Sequence, residues 1–170
     1  MTEERHGAPG SYVVEHVTTS AQLEECYAIR MEVFVAEQQV PAEEELDDLD
    51  VAPTTTHLLV RGPGGEAVAT GRLLTDPAHP DVVHVGRVAV RRVARGTGVG
   101  RHLMEALHER ARALPVPARR VELSAQEQAL AFYQRLGYAI GEARYLDAGI
   151  WHRDAWLELA DGSGSVGRGA

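Results

Sequence analysis

Between Tyr12 and Val17 the chain alternates apolar and polar side chains, as a strand with one solvated face does. The next segment, TTSAQLEECYAIRMEVFV, switches to helical spacing, with Leu23, Tyr27 and Phe34 in phase and Thr19 and Gln22 placed as a capping box. AEQQVPAEEELDDLDVAPTTT carries prolines and a run of acids, which predicts a long loop or one broken by a short helix. HLLVRGPGGEAVATGRLL reads as two strands around a Gly/Pro reversal, and VVHVGRVAV continues the run of strands. From Gly98 to about Ala113 the apolar positions Val99, Leu103, Met104 and Leu107 return to helical spacing, and LPVPA stops that helix. RRVELSA is then a strand, QEQALAFYQRLG a short helix closed by Gly137, and YAIGEARYLDAGIWHRDAWLEL two strands meeting at Gly149.

The sum is an antiparallel-rich sheet with a few helices, an α+β layered domain. A length of 170 residues suits one such domain, expected over residues 11–160, with a lead-in over 1–10 and a Gly/Ser-rich tail over 161–170. MTEERHGAPGS has no apolar segment and does not read as a signal peptide, and no window is long and apolar enough for a membrane span. Cys26 stands alone, which fits a reducing cytoplasm and the role of a small buried hydrophobe. A formal net charge of -8 argues against nucleic acid or an anionic membrane as partner. No CxxC or HExxH spacing points to a metal.

Against that acidic background, RVAVRRVARGTGVGRHLMEAL stands out, with Gly96, Gly98 and Gly100 between an apolar strand and an amphipathic helix. The first turn of a helix leaves backbone N–H groups without partners, its dipole favours anions, and glycine lets a phosphate oxygen approach the chain. Arg95 and Arg101 add positive charge beside them. A Walker loop fails, because Arg101 and His102 stand where Lys and Ser or Thr are required. A dinucleotide fingerprint lacks its third glycine, although Glu122 lies about where its acidic residue would, and it remains an alternative.

Arg95, Gly98 and Gly100 match the [Q/R]xxGx[G/A] signature, and with VAV before and GRHLM after them the segment resembles the central strand and helix of the GNAT N-acetyltransferases. A second block, SAQEQALAFYQRLGY, resembles that family's other conserved segment, with Gln126 at its Asn position and Tyr133 at its Tyr position. RMEVFVAEQQVP, VATGRLL, LSAQ and AGIWH are similar to the ElaA-like branch, and the resemblance runs from about Tyr12 to Leu159. It implies a mixed, mostly antiparallel sheet of about six or seven strands flanked by about four helices, and transfer of an acetyl group from acetyl-CoA to a primary amine in a ternary complex. A homodimer is also within what the family implies. A non-catalytic acyl-CoA-binding module is the competing reading.

The same resemblance distributes roles over the sequence. Arg95, Gly96, Thr97, Gly98, Val99, Gly100 and Arg101 are expected at the pyrophosphate, and Val88, Ala89 and Val90 at the pantetheine and thioester, with Gln126 and Tyr133 completing the cofactor contacts. Tyr133 is the candidate acid toward the departing sulfur, and without the resemblance it reads as a core aromatic. For a base the chain offers His152, whose imidazole titrates near neutrality, and Glu37. The acids from Glu43 to Asp50 read as a solvated face, Trp151 and Trp156 as core or interface, and His57 as a residue able to face the cleft.

Overall fold

One sheet is built from β1 (Val13–His16), β2 (Thr56–Arg61), β3 (Ala67–Thr75), β4 (Val82–Val90), β5 (Arg120–Gln126), β6 (Ala139–Asp147) and β7 (Ile150–Glu158), in the order β1-β2-β3-β4-β5-β7-β6. The computed structural model describes residues 11–159, so the expected lead-in and tail lie outside the described residues. Neighbouring strands are antiparallel except β4 and β5, which the crossover through an intervening helix makes parallel. The α-helices are α1 (Ser20–Arg30), α2 (Ala42–Glu45), α3 (Val99–Arg112) and α4 (Leu130–Arg135).

Two helical layers cover the two faces of the central strands. On one face α3 buries Val99, Leu103, Met104 and Leu107 against Leu58, Val60, Leu73 and Val83. These helix positions fall on one stripe, and their side chains are at most 1% exposed. Gly71 makes the approach close, since a Cβ there would meet Leu107 Cδ1 at 3.0 Å. On the other face Cys26, Ile29, Val33 and Phe34 pack on Leu59 and Ala89. The capping box of α1 forms as expected, with the Gln22 amide N–H donating to Thr19 Oγ1 at 3.2 Å. Among the described residues, no helix is long and apolar enough to cross a membrane.

The helical spacing through Phe34 hides a change of hydrogen bonding. After Arg30 the helix runs on as a π-helical segment over Met31–Glu37, which widens the turn and redirects the chain toward β5. The following segment forms α2 and a 3-10 turn at Asp48–Val51. The reading of a solvated face holds for Glu43, Glu44, Asp47 and Asp48, which are exposed, and fails for Glu45 and Asp50, each only 3% exposed. Arg30 Nε donates to Glu45 Oε1 at 2.9 Å and its Nη1 to Asp50 Oδ1 at 2.7 Å, while Arg72 reaches Asp47 at 2.7 Å and Asp50 at 2.9 Å. The periodicity of a loop carries no sign of burial, because these carboxylates are buried by their partners, not by apolar neighbours. His57 belongs to the same layer. Its Nε2 lies 2.9 Å from the Asp50 carbonyl and burial lowers its pKa, so it is tied to the network instead of facing a cleft. Trp151 is also not core, being 43% exposed beneath the Arg144 guanidinium at 4.1 Å, and Trp156 lies half-buried beneath Arg120.

Burial alone would raise the Asp50 pKa, but hydrogen bonds from Arg30, the Asp47 amide and Arg72 outweigh it and hold the carboxyl at about 2. A folded-state pKa below the unfolded value contributes stability that is complete above about pH 4 and lost as pH falls toward 2. Asp50→Ala leaves Arg30 and Arg72 buried without their shared partner and is expected to cost about 3–5 kcal/mol. Urea denaturation at pH 7 and pH 3 checks both statements: the difference between wild type and variant should shrink at the lower pH.

Candidate functional site

The parallel pairing of β4 and β5 covers Val82 with Arg120, Val83 with Val121 and His84 with Glu122, and goes no further. Beyond it β4 carries a bulge. Arg72 of β3 faces Gly86 and Thr70 faces Ala89, so β4 spends one residue more than β3, and Arg87 takes up the excess with φ 51°. A positive φ at a non-glycine residue is strained and persists only where surroundings hold it. Here the Arg87 guanidinium is anchored, with Nε donating to the Glu45 carbonyl at 3.2 Å and Nη2 lying 3.3 Å from Asp47 Oδ2.

Past the bulge, β4 has a free edge facing β5. The Arg91 amide donates to Val68 of β3 at 2.8 Å, and alternate residues of a strand point their backbone groups to opposite neighbours. Ala89 therefore bonds toward β3, while Val88 and Val90 turn their N–H and C=O into the gap. Arg95 Nε donates to the Val90 carbonyl at 3.0 Å from that side, which agrees. Of the three VAV residues, Ala89 is thus the one the geometry turns away, with its side chain 2% exposed against the α1 layer.

The gap opens into a cleft of about 250 Å³. Val85, Gly86 and Val88 form its β4 wall, and Leu123, Ser124 and Gln126 its β5 wall. Phe34, Gln38 and Val40 close it from the π-helical side, and Tyr133 and His152 stand at its interior. Beyond the end of β4 the chain enters the glycine loop, where Gly96 has φ 76° and Gly98 has φ 85° and caps α3 with no side-chain bond. The first intrahelical bond of α3 is from His102 to the Gly98 carbonyl at 3.1 Å, so the amides of Val99, Gly100 and Arg101 are left to an outside acceptor. A Cβ placed on Gly96 or Gly98 would meet nothing within 4 Å, which makes the loop an open cradle. These features fit a phosphate-bearing ligand such as the pyrophosphate of coenzyme A.

Several expected side chains are engaged with the protein. Arg95 forms an ion pair with Glu37, joining a cofactor residue to a candidate base, and Glu37 does not line the cleft. Arg101 turns along α3 to Glu105 at 3.0 Å. Thr97 Oγ1 donates to the Ala94 carbonyl and accepts from Tyr12 Oη at 2.9 Å, bracing the loop. Gln126 exchanges amide hydrogen bonds with Gln38 at 2.8 and 3.2 Å, which ties β5 to the end of the π-helical segment. The dinucleotide alternative fails on geometry: Glu122 lies opposite His84 at the paired start of β4, away from the glycine loop that follows its end.

Tyr133 and His152 are both 7% exposed and both face the cleft. Gly137, with φ 98°, ends α4 in a Schellman motif, in which the Tyr138 amide donates to the Tyr133 carbonyl at 3.1 Å. The Tyr138 ring then packs on Tyr133 edge-on at 5.5 Å, and Phe132 holds the other side at 5.0 Å. Among the described residues the Tyr133 hydroxyl has no hydrogen-bond partner, and burial pushes its pKa up to about 12. His152 Nδ1 lies 2.7 Å from the Ile150 carbonyl. A carbonyl only accepts, so in the neutral ring Nδ1 carries the proton and Nε2 keeps its lone pair. Tyr145 stacks on the imidazole at 6.0 Å, and its hydroxyl bonds Ser124 and Asp154.

Gln38, Ser124, Tyr145 and Arg87 are site residues that sequence patterning missed. Gln38, Ser124 and Arg87 lie within segments that carry the family resemblance, but nothing in those segments marks their roles, which depend on a π-helical turn, strand pairing and a bulge.

A model described as the Acetyltransferase (GNAT) family matches residues 12–138 of the chain. A Bacillus subtilis protein described as an uncharacterized N-acetyltransferase, YjcF, is 39% identical over 132 residues, covering 77% of this chain and 89% of the relative. Among solved structures, an acyl-CoA N-acyltransferase from Pseudomonas aeruginosa has a TM-score of 0.74 at 34% identity, covering 86% of this chain and 98% of the other. Escherichia coli ElaA has a TM-score of 0.75 at 29% identity, covering 88% of this chain and 99% of the other.

Because the Tyr133 hydroxyl bonds no other described residue, Tyr133→Phe removes it without orphaning a partner. The variant is expected to match the wild type in stability within about 0.5 kcal/mol, checked by thermal denaturation.

Proposed function

The chain belongs to the GNAT acetyltransferase family, and from that membership we propose that it transfers an acetyl group from acetyl-CoA to a primary amine by direct attack in a ternary complex. The observation that carries the proposal is the splay of β4 from β5, which opens a cleft lined by Val88, Tyr133 and His152, with Val88 on the strand whose end runs into the open glycine cradle. The thioester supplies an activated acyl group. The protein supplies position, hydrogen bonds and proton handling.

The amides at the start of α3 and the Gly98 region hold the pyrophosphate, whose charge the helix dipole favours. Arg95 lies beside them and exchanges Glu37 for phosphate at little cost, since both pairs are exposed and similar in kind. The backbone edge formed by Val88 and the Val90 N–H takes the amides of the pantetheine arm as a strand would, the Val90 carbonyl being held by Arg95, and an N–H there stabilises the oxygen on which charge develops. Tyr133 faces the sulfur. A phenol held at about 12 is a weaker acid than an alkyl thiol near 8.5 by three to four powers of ten, so Tyr133 acts by hydrogen bonding to the departing thiolate more than by complete transfer.

An amine attacks only after losing its proton. His152 lines the cleft, and its Nε2, the ring nitrogen left without a partner among the described residues, accepts that proton, with the ring fixed by the Ile150 carbonyl and the Tyr145 stack. The C–N bond forms as the C–S bond breaks, and one proton passes overall from amine to thiol. Glu37 is set aside as base because it does not line the cleft.

Free-thiol release tests the proposal cleanly, because Cys26 is the single cysteine and is 0% exposed. Acetyl-CoA with a panel of primary amines is expected to give turnover, which Tyr133→Phe lowers by about 10–100-fold in kcat and His152→Ala by about 100-fold. Binding of CoA without thiol release from any amine would favour the non-catalytic module instead.

A further inference from the structure

The acceptor end of the cleft carries a charge pattern of its own. Glu44 on α2 and Asp147 at the end of β6 stand on different walls, and among the described residues neither carboxylate has an ion-pair or hydrogen-bond partner. Positive charge in the lining comes from Arg87, whose guanidinium is already held by the Glu44 and Glu45 carbonyls and by Glu45 and Asp47. Lysine offers none, because the chain contains only arginine as its basic residue of high pKa. A carboxylate on the acceptor would thus meet two free anions and no free cation.

Two further groups fix where the acceptor's reacting end goes. Tyr133 and His152 are each 7% exposed, each lines the cleft, and each has one polar atom, the Tyr133 hydroxyl and His152 Nε2, without a partner among the described residues. They mark the deep, reacting part, while Glu44 and Asp147 are exposed side chains at the mouth. A cleft of about 250 Å³, shared with the end of the pantetheine arm, leaves room for a short aliphatic chain between the two levels. Resting on the transferase reading above, we propose that the acceptor is a short diamine or oligoamine: one amino group reacts at His152 while a second, still protonated, lies between Glu44 and Asp147. The distal cation adds binding that a neutral group of the same size lacks, and a distal carboxylate is repelled.

Three probes of nearly equal size separate the cases: 1,4-diaminobutane, 1-aminobutane and 4-aminobutanoate, whose distal ends are cationic, neutral and anionic. With acetyl-CoA saturating, kcat/KM is expected to be about tenfold or more higher for the diamine than for the monoamine, and lowest for the amino acid. Glu44→Gln and Asp147→Asn should each lower the diamine-to-monoamine ratio severalfold, and high salt should lower it in the wild type. The same three probes are titrated calorimetrically into the protein saturated with CoA, so the order of binding is read even where no turnover occurs. Absence of turnover with all three counts against the transferase reading alone. Equal binding of diamine and monoamine, or a preference for the amino acid, overturns the proposal made here.

Discussion

The interaction on which the rest of the structure depends is the ion network of buried Arg30, Arg72, Glu45 and Asp50, with Asp47 at its exposed rim. It ties α1, the α2 segment and β3 into one unit, and through Arg87 it grips the bulge in β4. Without that grip nothing holds Arg87 at φ 51°, and β4 has no reason to leave the path of β5. A buried ion pair is a poor source of stability compared with apolar packing, because desolvation consumes most of its attraction. Its use here is geometric: guanidinium and carboxylate fit one another in few arrangements, so the network holds a strained backbone where softer packing would let it relax.

Once the strands part, burial and exposure divide the chemistry. Tyr133 sits where water is scarce, between Phe132 and Tyr138, which keeps it protonated over the whole physiological range and so always a donor. Behind it, Tyr138 bonds His108 at 2.6 Å, and burial lowers the His108 pKa to about 4, so that pair stays neutral and adds no charge beside the donor. His152 is buried as deeply but is held at Nδ1, which leaves its other nitrogen the single free acceptor on the ring. One residue is thereby kept as a donor and the other as an acceptor on the two sides of one cleft.

The sequence reading and the structure agree where local chemistry decides. The strand alternation, the Thr19 capping box, the Gly137 C-cap and the glycine turn into α3 are all short-range signals, and each element stands within a residue or two of its expected place. The glycine loop expected at the cosubstrate was legible as a strand-to-helix turn for the same reason, since it lies in one continuous segment. The acceptor half was not. Asp50 and Glu45 look solvated in a one-dimensional pattern, since only Arg30 and Arg72, 20 and 22 residues away, explain their burial. The π-helical turn that delivers Gln38 to Gln126, 88 residues distant, leaves no trace in an apolar spacing that fits an α-helix equally well.

That contrast has a functional consequence. Backbone amides at a helix start recognise phosphate whatever the neighbouring side chains are, so the glycine cradle tolerates change around it provided Gly96 and Gly98 keep their positive φ. The acceptor wall is assembled from side chains on α2, β5, β6 and β7, each on a separate stretch of chain and several at exposed positions. Exposed side chains are replaced at small cost in stability, whereas the ion network beneath them is not. The fold therefore sets a cradle made of backbone apart from a cleft wall made of side chains. The β4 bulge is where backbone and side-chain surfaces meet: Arg87 lines the cleft with its side chain, while one residue later Val88 turns its backbone groups into the gap beside β5.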